Sequence, residues 1–230
     1  MRQFSFLIFR AAICALAGLI GILAIWAMAG EIISPRLIYF PTTQSEAEIL
    51  YSVRGSAAAA AEVSMVRGDL WTAAAITKVA PLLVAPTGSE SEKAVQADIE
   101  TVREIAERAA RHSPHDSRNW LVLAGLDTRL GGKGRKAGEI LKLSYYTGPN
   151  EFTLMPLRLL LAAQSDAMSD EELQNLASLE LQRIVVQRPD LKPAIALAYK
   201  NSRSKGREVI EATLEQADPR FLATLAAPSR

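Results

Sequence analysis

The sequence predicts an all-α protein, antiparallel helix pairs preceded by one N-terminal transmembrane helix. Three observations carry this. Ala11 through Gly30 contains no charged side chain. Alanine and leucine dominate, while aromatic residues make up 6%, a balance that favours helix over sheet. Apolar residues recur at helical spacing, and no stretch alternates apolar and polar residues between hairpin-type turns.

The 230 residues leave room for one larger domain or two small ones. With 49% hydrophobic and 22% charged residues, wholesale disorder is excluded and a sizeable core is allowed. A net charge of +1 supplies no field that would recruit nucleic acid or acidic polymers. Cys14 is the only cysteine, so neither an intramolecular disulfide nor a multi-cysteine metal site can form.

Residues 1–30 read as a signal-anchor. Twenty helical residues span roughly 30 Å, about the thickness of a hydrocarbon core. Arg2 and Arg10 precede the apolar run, and Glu31 and Arg36 cancel behind it. The positive-inside bias therefore predicts a single pass through the inner (cell) membrane, with the N-terminus cytoplasmic and the body periplasmic. Ala27-Met28-Ala29 keeps a second reading open, cleavage near Ala29 to a soluble periplasmic protein. Ile25 and Trp26, apolar right up to that triplet, favour the anchor. Without its first thirty residues the chain keeps 24 basic and 25 acidic side chains, which argues against an electrostatic surface anchor.

Residues 31–42, with Pro35 and Pro41 and no helical period, are expected to form an extended linker, and 43–230 the helical domain. Thr43 and Glu46 form a capping box for a helix that Gly68-Asp69 ends. The next helix begins LWTAAAITKVA. Pro86 to Ser91 reads as a loop. Ser89 and Glu92 suggest a second capping box, before the apolar stripe Val95, Ile99, Val102, Ile105, Ala106 and Ala109. Helices follow over 117–130 and 135–147, around the turn Gly131-Gly132-Lys133-Gly134. Another starts near Asn150, and Pro156 either kinks it or marks its true start. Ser169 to Glu172 caps a helix reaching Gln187. Helices at 191–202 and 205–217 precede Pro219 and a short tail.

Pro114, Pro149 and Pro189 close successive helix pairs, 35 and 40 residues apart. A period near 34 with paired helices, together with Trp120, Leu123, Ala124, Gly131, Ala137, Leu141 and Pro149 in order, resembles the tetratricopeptide repeat. One residue is inserted in the turn, and Asp127 stands where the family has an aromatic. Ala177, Leu181, Ile184 and Pro189 resemble the second half of another unit, and Gly68, Ala73, Thr77 and Ala80 the turn and second helix of a third, before Pro86. The resemblance implies a TPR-like right-handed helical repeat in which Ala124 and Ala137 permit close approach and Trp120 and Leu141 fill the space between helices. It also implies a concave surface lined by first helices that holds a peptide or another subunit. Projected onto the best unit, that surface comprises Arg118, Leu121, Gly125, Thr128 and Arg129.

No catalytic constellation stands out, and no cofactor or metal site is expected. His112, His115 and Asp116 are separated by Pro114 and read as caps rather than metal ligands. The 131–136 turn lacks the spacing, the Ser or Thr and the preceding strand of a phosphate loop. Glu171-Glu172 and Glu46/Glu48 read as acids at helix starts, and 203–207 as a solvated junction. The expected function is a membrane-anchored scaffold of the cell envelope, possessing a protein partner in the inner membrane or periplasm and linked by analogy to polysaccharide or envelope assembly. The alternatives are an envelope hydrolase acting on glycans, with two carboxylates facing one cleft, and a small accessory subunit whose Ala11, Ala15, Ala17 and Gly21 pack in a membrane complex.

Overall fold

A computed structural model describes residues 2–84, 93, 97–129 and 134–227, with side chains for 9–84, 93, 97–128 and 136–227. The described elements are helical, with no strand among them. The first, α1 (Arg2–Ile33), is a continuous helix. Its stretch Phe9–Ile33 is long and apolar enough to cross a membrane. The helix does not break at Ala27-Met28-Ala29. Its last turn sits on the body. Gly30 is buried, and a Cβ there would meet Leu70 Cδ1 at 2.9 Å, Ser64 Cβ at 3.1 Å and the Ala60 carbonyl at 3.3 Å. Glu31 pairs with Arg67 at 2.7 Å.

Residues 34–42 are extended, as their prolines require, but they are not a free tether. Phe40 is buried, and Ile38 packs against Ala47, Leu50 and Ala80. The capping box forms: the Glu46 N–H donates to Thr43 Oγ1 at 3.3 Å, and the Thr43 N–H to Glu46 Oε2 at 3.2 Å. The helix it starts is two helices, α2 (Gln44–Ser52) and α3 (Arg54–Ser64), broken at Val53. Arg54 stacks over the Tyr51 ring at 3.9 Å and donates to the Tyr51 carbonyl at 2.8 Å, which secures the break.

After α3, Met65 adopts φ 54° and ψ −51°, and the Val66 N–H donates to the Ser64 carbonyl at 2.6 Å. This is a positive-φ γ-turn, rare and strained for a side-chain-bearing residue. The Trp71 indole N–H, donating to the Met65 carbonyl at 3.0 Å, holds it. Next comes α4 (Gly68–Val84), which runs through Pro81 and is buried on nearly every side. Its contacts are α2, α3, α5 (Ile99–His112) and α6 (Ser117–Arg129). A helix enclosed in this way shows no amphipathic stripe. By contrast α5 does, burying Val102, Ala106 and Ala109. The Ser89/Glu92 capping box, Val95 and the Gly131–Lys133 turn lie outside the described residues.

The α6 helix packs against α7 (Gly134–Thr147) antiparallel, and Ser144 Oγ near the end of α7 donates to the Ser117 carbonyl at 2.9 Å. Ala124, Ala137 and Leu141 are buried in this region. Trp120 is only half-buried at its rim, because its indole N–H reaches the Pro114 carbonyl at 2.7 Å. It therefore fills less of the interior than its place in the repeat pattern implies.

Pro156 marks the true start of α8 (Met155–Gln164) instead of kinking a helix from Asn150. A 3-10 turn, Asp166–Ser169, leads to α9 (Glu171–Gln187), which Asp170 caps by accepting from the Leu173 N–H at 2.9 Å. A second 3-10 turn, Pro189–Leu191, leads to α10 (Lys192–Lys200) and α11 (Ser204–Ala217). Pro219 does not open a tail but begins α12 (Pro219–Ala226), capped by Asp218. The two largest buried clusters among the described residues meet at α8. Leu157, Leu160 and Leu161 join the core of α4 to α7, and Met155, Leu159 and Ala163 the core of α9 to α11.

Candidate functional site

The helices α4, α6, α8 and α10 lie in succession, each in contact with the next. The extended 34–42 segment crosses this row, and a cavity opens on either side of it. One, about 400 Å³, is lined by Ile38 to Phe40, Asp116, Arg118, Glu151, Thr153 and Leu154. The other, about 320 Å³, is an apolar groove walled by Phe40, Pro41, Leu157, Leu160, Pro193 and Leu197, with Asp190 at its edge.

Arg118 lines the first cavity but is not free. Its Nε and Nη2 donate to Asp116 Oδ1 and Oδ2 at 2.9 and 2.7 Å. That carboxylate holds the Arg118 pKa above its ordinary value. Asp116 also caps α6, accepting from the Arg118 N–H at 3.0 Å. Glu151 accepts from Ser117 Oγ at 2.9 Å. Two carboxylates thus face one cavity, each already engaged by a donor.

The other residues projected onto a partner surface fare differently. Leu121 is fully buried. A Cβ on Gly125 would lie 2.7 Å from Leu83 Cδ2 and 3.6 Å from Leu161 Cδ1. Their face of α6 is packed between α4 and α8, so Leu121 and Gly125 have no surface to offer a partner and are corrected to packing positions. Thr128 is half-buried, its hydroxyl donating back to the Ala124 carbonyl at 2.8 Å. The Arg129 side chain lies outside the described residues. Asp127, where the repeat family has an aromatic, is buried and pairs with Arg103 of α5 at 3.4 Å.

His112 and His115 are exposed. Among the described residues no three His, Cys, Asp or Glu side chains are grouped to hold a metal. Glu172 is held below the usual carboxylate range by Tyr146 Oη and by Lys142, whose ammonium lies 2.9 Å away. In the 203–207 junction, Arg203 pairs with Asp166, and its N–H donates to the Ala163 carbonyl at 2.9 Å.

Behind the row of helices lies a polar cluster that the sequence pattern did not reveal. Arg158 of α8 is 0% exposed. Its Nε donates to Ser144 Oγ at 3.0 Å, and Nη1 and Nη2 to the Gly148 and Ser144 carbonyls at 2.9 and 2.5 Å. These carbonyls end α7, so the guanidinium caps that helix from inside the protein. Glu180 of α9 accepts from Arg158 Nη1 at 3.5 Å and from Tyr145 Oη at 2.9 Å. Burial pushes the Glu180 carboxyl up to about 7, against the opposing pull of Arg158 and Tyr145. The Tyr145 hydroxyl is raised too, by burial and then by Glu180.

A carboxyl raised by folding keeps its proton longer in the folded state than in the unfolded chain. Its contribution to stability is therefore full below the ordinary value of 4.5 and is lost as pH rises toward about 7. Urea midpoints should accordingly show a falling component across that window. Glu180→Gln should remove this component, and an unchanged slope would show that Glu180 titrates normally.

The chain matches no family model, no curated protein and no solved structure.

Proposed function

We propose that this protein is a membrane-anchored scaffold of the cell envelope, with a TPR-like body on the periplasmic side that seats a protein partner over α6, α8 and α10. The observation that carries the reading is the join between anchor and body. Gly30 is buried on Ala60, Ser64 and Leu70, and the segment after it is woven into the core through Phe40. A cleavable leader has no need of such packing, and cleavage after Ala29 would cut within a helical turn that the body holds. An uncleaved anchor uses it to fix how the body stands. Arg2 and Arg10 before the span support a cytoplasmic N-terminus. The TPR-like reading draws support from α6 and α8, which lie side by side with α7 and α9 as their partners; α4, which carries a second-helix spacing, also lies against α6. Part of the face expected to receive a peptide is filled by the chain's own extended segment. The partner site is therefore the remainder, Arg118 on one side and the Leu197 groove on the other. The link of such a scaffold to envelope or polysaccharide assembly is an analogy with architecture and proposed location alone.

A photo-crosslinking residue at Leu197 or Arg118, used in intact cells, is expected to yield a discrete adduct. The same probe at exposed Lys205 is expected to yield none. Arg118→Ala should cost about 1 kcal/mol or less, as partly exposed ion pairs do, while weakening the Leu197 adduct. Adducts of equal yield at all three sites, or at none, would remove this face as the partner site. A reporter after residue 230 that works only in the cytoplasm would reverse the topology.

A further inference from the structure

We propose that the α3–α4 turn, Met65 and Val66, is inserted into the lipid surface beside α1, so that the body rests on the bilayer at a second point and in one orientation. This rests on the reading of α1 as a membrane span.

The direction of the chain places the turn. Leaving α1, the extended segment passes from Gly30, which touches Leu70 near the start of α4, to Phe40, which shares a groove with Val84 at the end of α4. The body therefore extends away from the membrane in the sense from Leu70 to Val84. The opposite end of α4, where α3 arrives and the chain turns through 65–67, faces the membrane. Depth follows from α1. Its apolar stretch continues past Gly30 to Ile33, and Ile32 is 78% exposed. Gly30 lies one residue, about 1.5 Å, on the membrane side of Glu31, at the boundary of the uncharged run. Ser64 touches Gly30 and Arg67 pairs with Glu31, so Met65 and Val66, between them, lie beside this end of the span.

The chemistry of the turn fits that depth. Met65 and Val66 are 63% and 66% exposed, side by side with no polar group between them. Met65 holds a strained backbone, φ 54°, that turns both side chains out of the protein. Arg67 follows at the level of Glu31 and is bound by Glu31 and Asp69 at 2.7 and 2.5 Å. That is headgroup depth, where paired charges sit while neighbouring apolar side chains go deeper. The near-neutral body provides no electrostatic attraction to a membrane, so contact at this end must be apolar.

The test uses the full chain in phosphatidylcholine–phosphatidylglycerol vesicles. Native Cys14 carries a fluorophore in one sample, and Val66→Cys or Lys205→Cys carries it in a Cys14→Ser background. The 66 probe should lose most of its emission to a quencher placed near the lipid headgroup and little to aqueous iodide. The Lys205 probe should do the reverse, and the Cys14 probe should respond to a deep-chain quencher. Iodide quenching at 66 with Cys14 still quenched from deep in the bilayer would overturn the proposal while leaving the anchor intact. Protection at 66 from both quenchers would overturn it in favour of a protein contact. Iodide access at Cys14 would overturn the anchor and the proposal with it. Val66 is exposed, so its substitution leaves the core untouched.

Discussion

Arg158→Met is expected to destabilise the protein by about 3–5 kcal/mol, the range for breaking a buried ion pair from one side. The side chain volume is largely kept, so the loss is electrostatic. The Ser144 and Gly148 carbonyls at the end of α7 lose their donor, and Glu180 loses its cation. Each buried group left without its partner costs about 1–3 kcal/mol. Without that cation the Glu180 carboxyl rises further, so the deficit should be smaller at acidic pH than at neutral pH. Adding Glu180→Leu should recover part of the loss, since an apolar pair needs no charge compensation, though the α7 carbonyls remain uncapped. Urea unfolding of the two variants checks this. A loss well under 1 kcal/mol for Arg158→Met would mean that water reaches the cluster.

Gly206→Ala should also destabilise the protein. A Cβ there would lie 2.5 Å from the Ala163 carbonyl oxygen and 2.8 Å from its Cα. These are backbone atoms of α8, which cannot swing aside as a side chain could. Overpacking of this kind costs roughly 1–3 kcal/mol, whereas the gain in helix propensity returns only about 0.5–1 kcal/mol. The net effect is a loss centred on the α8–α11 contact, where the Arg203 N–H also meets Ala163. A higher melting temperature would show that α11 packs more loosely.

Local chemistry was legible wherever one residue type decides it. Thr43 with Glu46, and Asp170, place helix starts because caps act within a single turn, whereas Pro156 allowed either a kink or a start. The α5 stripe was legible because one face is buried and the other wet. The features that depend on tertiary enclosure were not. In α4 nearly every position is buried, so no period separates inside from outside. Arg158 stands in PLRLLLAA, where an arginine reads as a solvated exception to an apolar face. Only the placement of Ser144, Gly148 and Glu180, all distant in sequence, makes it interior. The same holds for the partner surface. Arg118 reaches a cavity, but Leu121 and Gly125 are packing residues because α8 lies over them. The extended segment, whose two prolines suggested a tether, became part of the body through Ile38 and Phe40, whose apolar side chains it could not leave in water.

A disulfide tests the join between α1 and the body directly. Gly30 and Ser64 place their Cβ positions 3.1 Å apart, close to the roughly 3.5–4.5 Å of a disulfide. In a Cys14→Ser background, Gly30→Cys with Ser64→Cys should close on mild oxidation in native membranes, giving a cross-linked chain that stays membrane-bound and still carries residues 1–29. Two free thiols after oxidation, or a soluble chain that begins at residue 30, would contradict it.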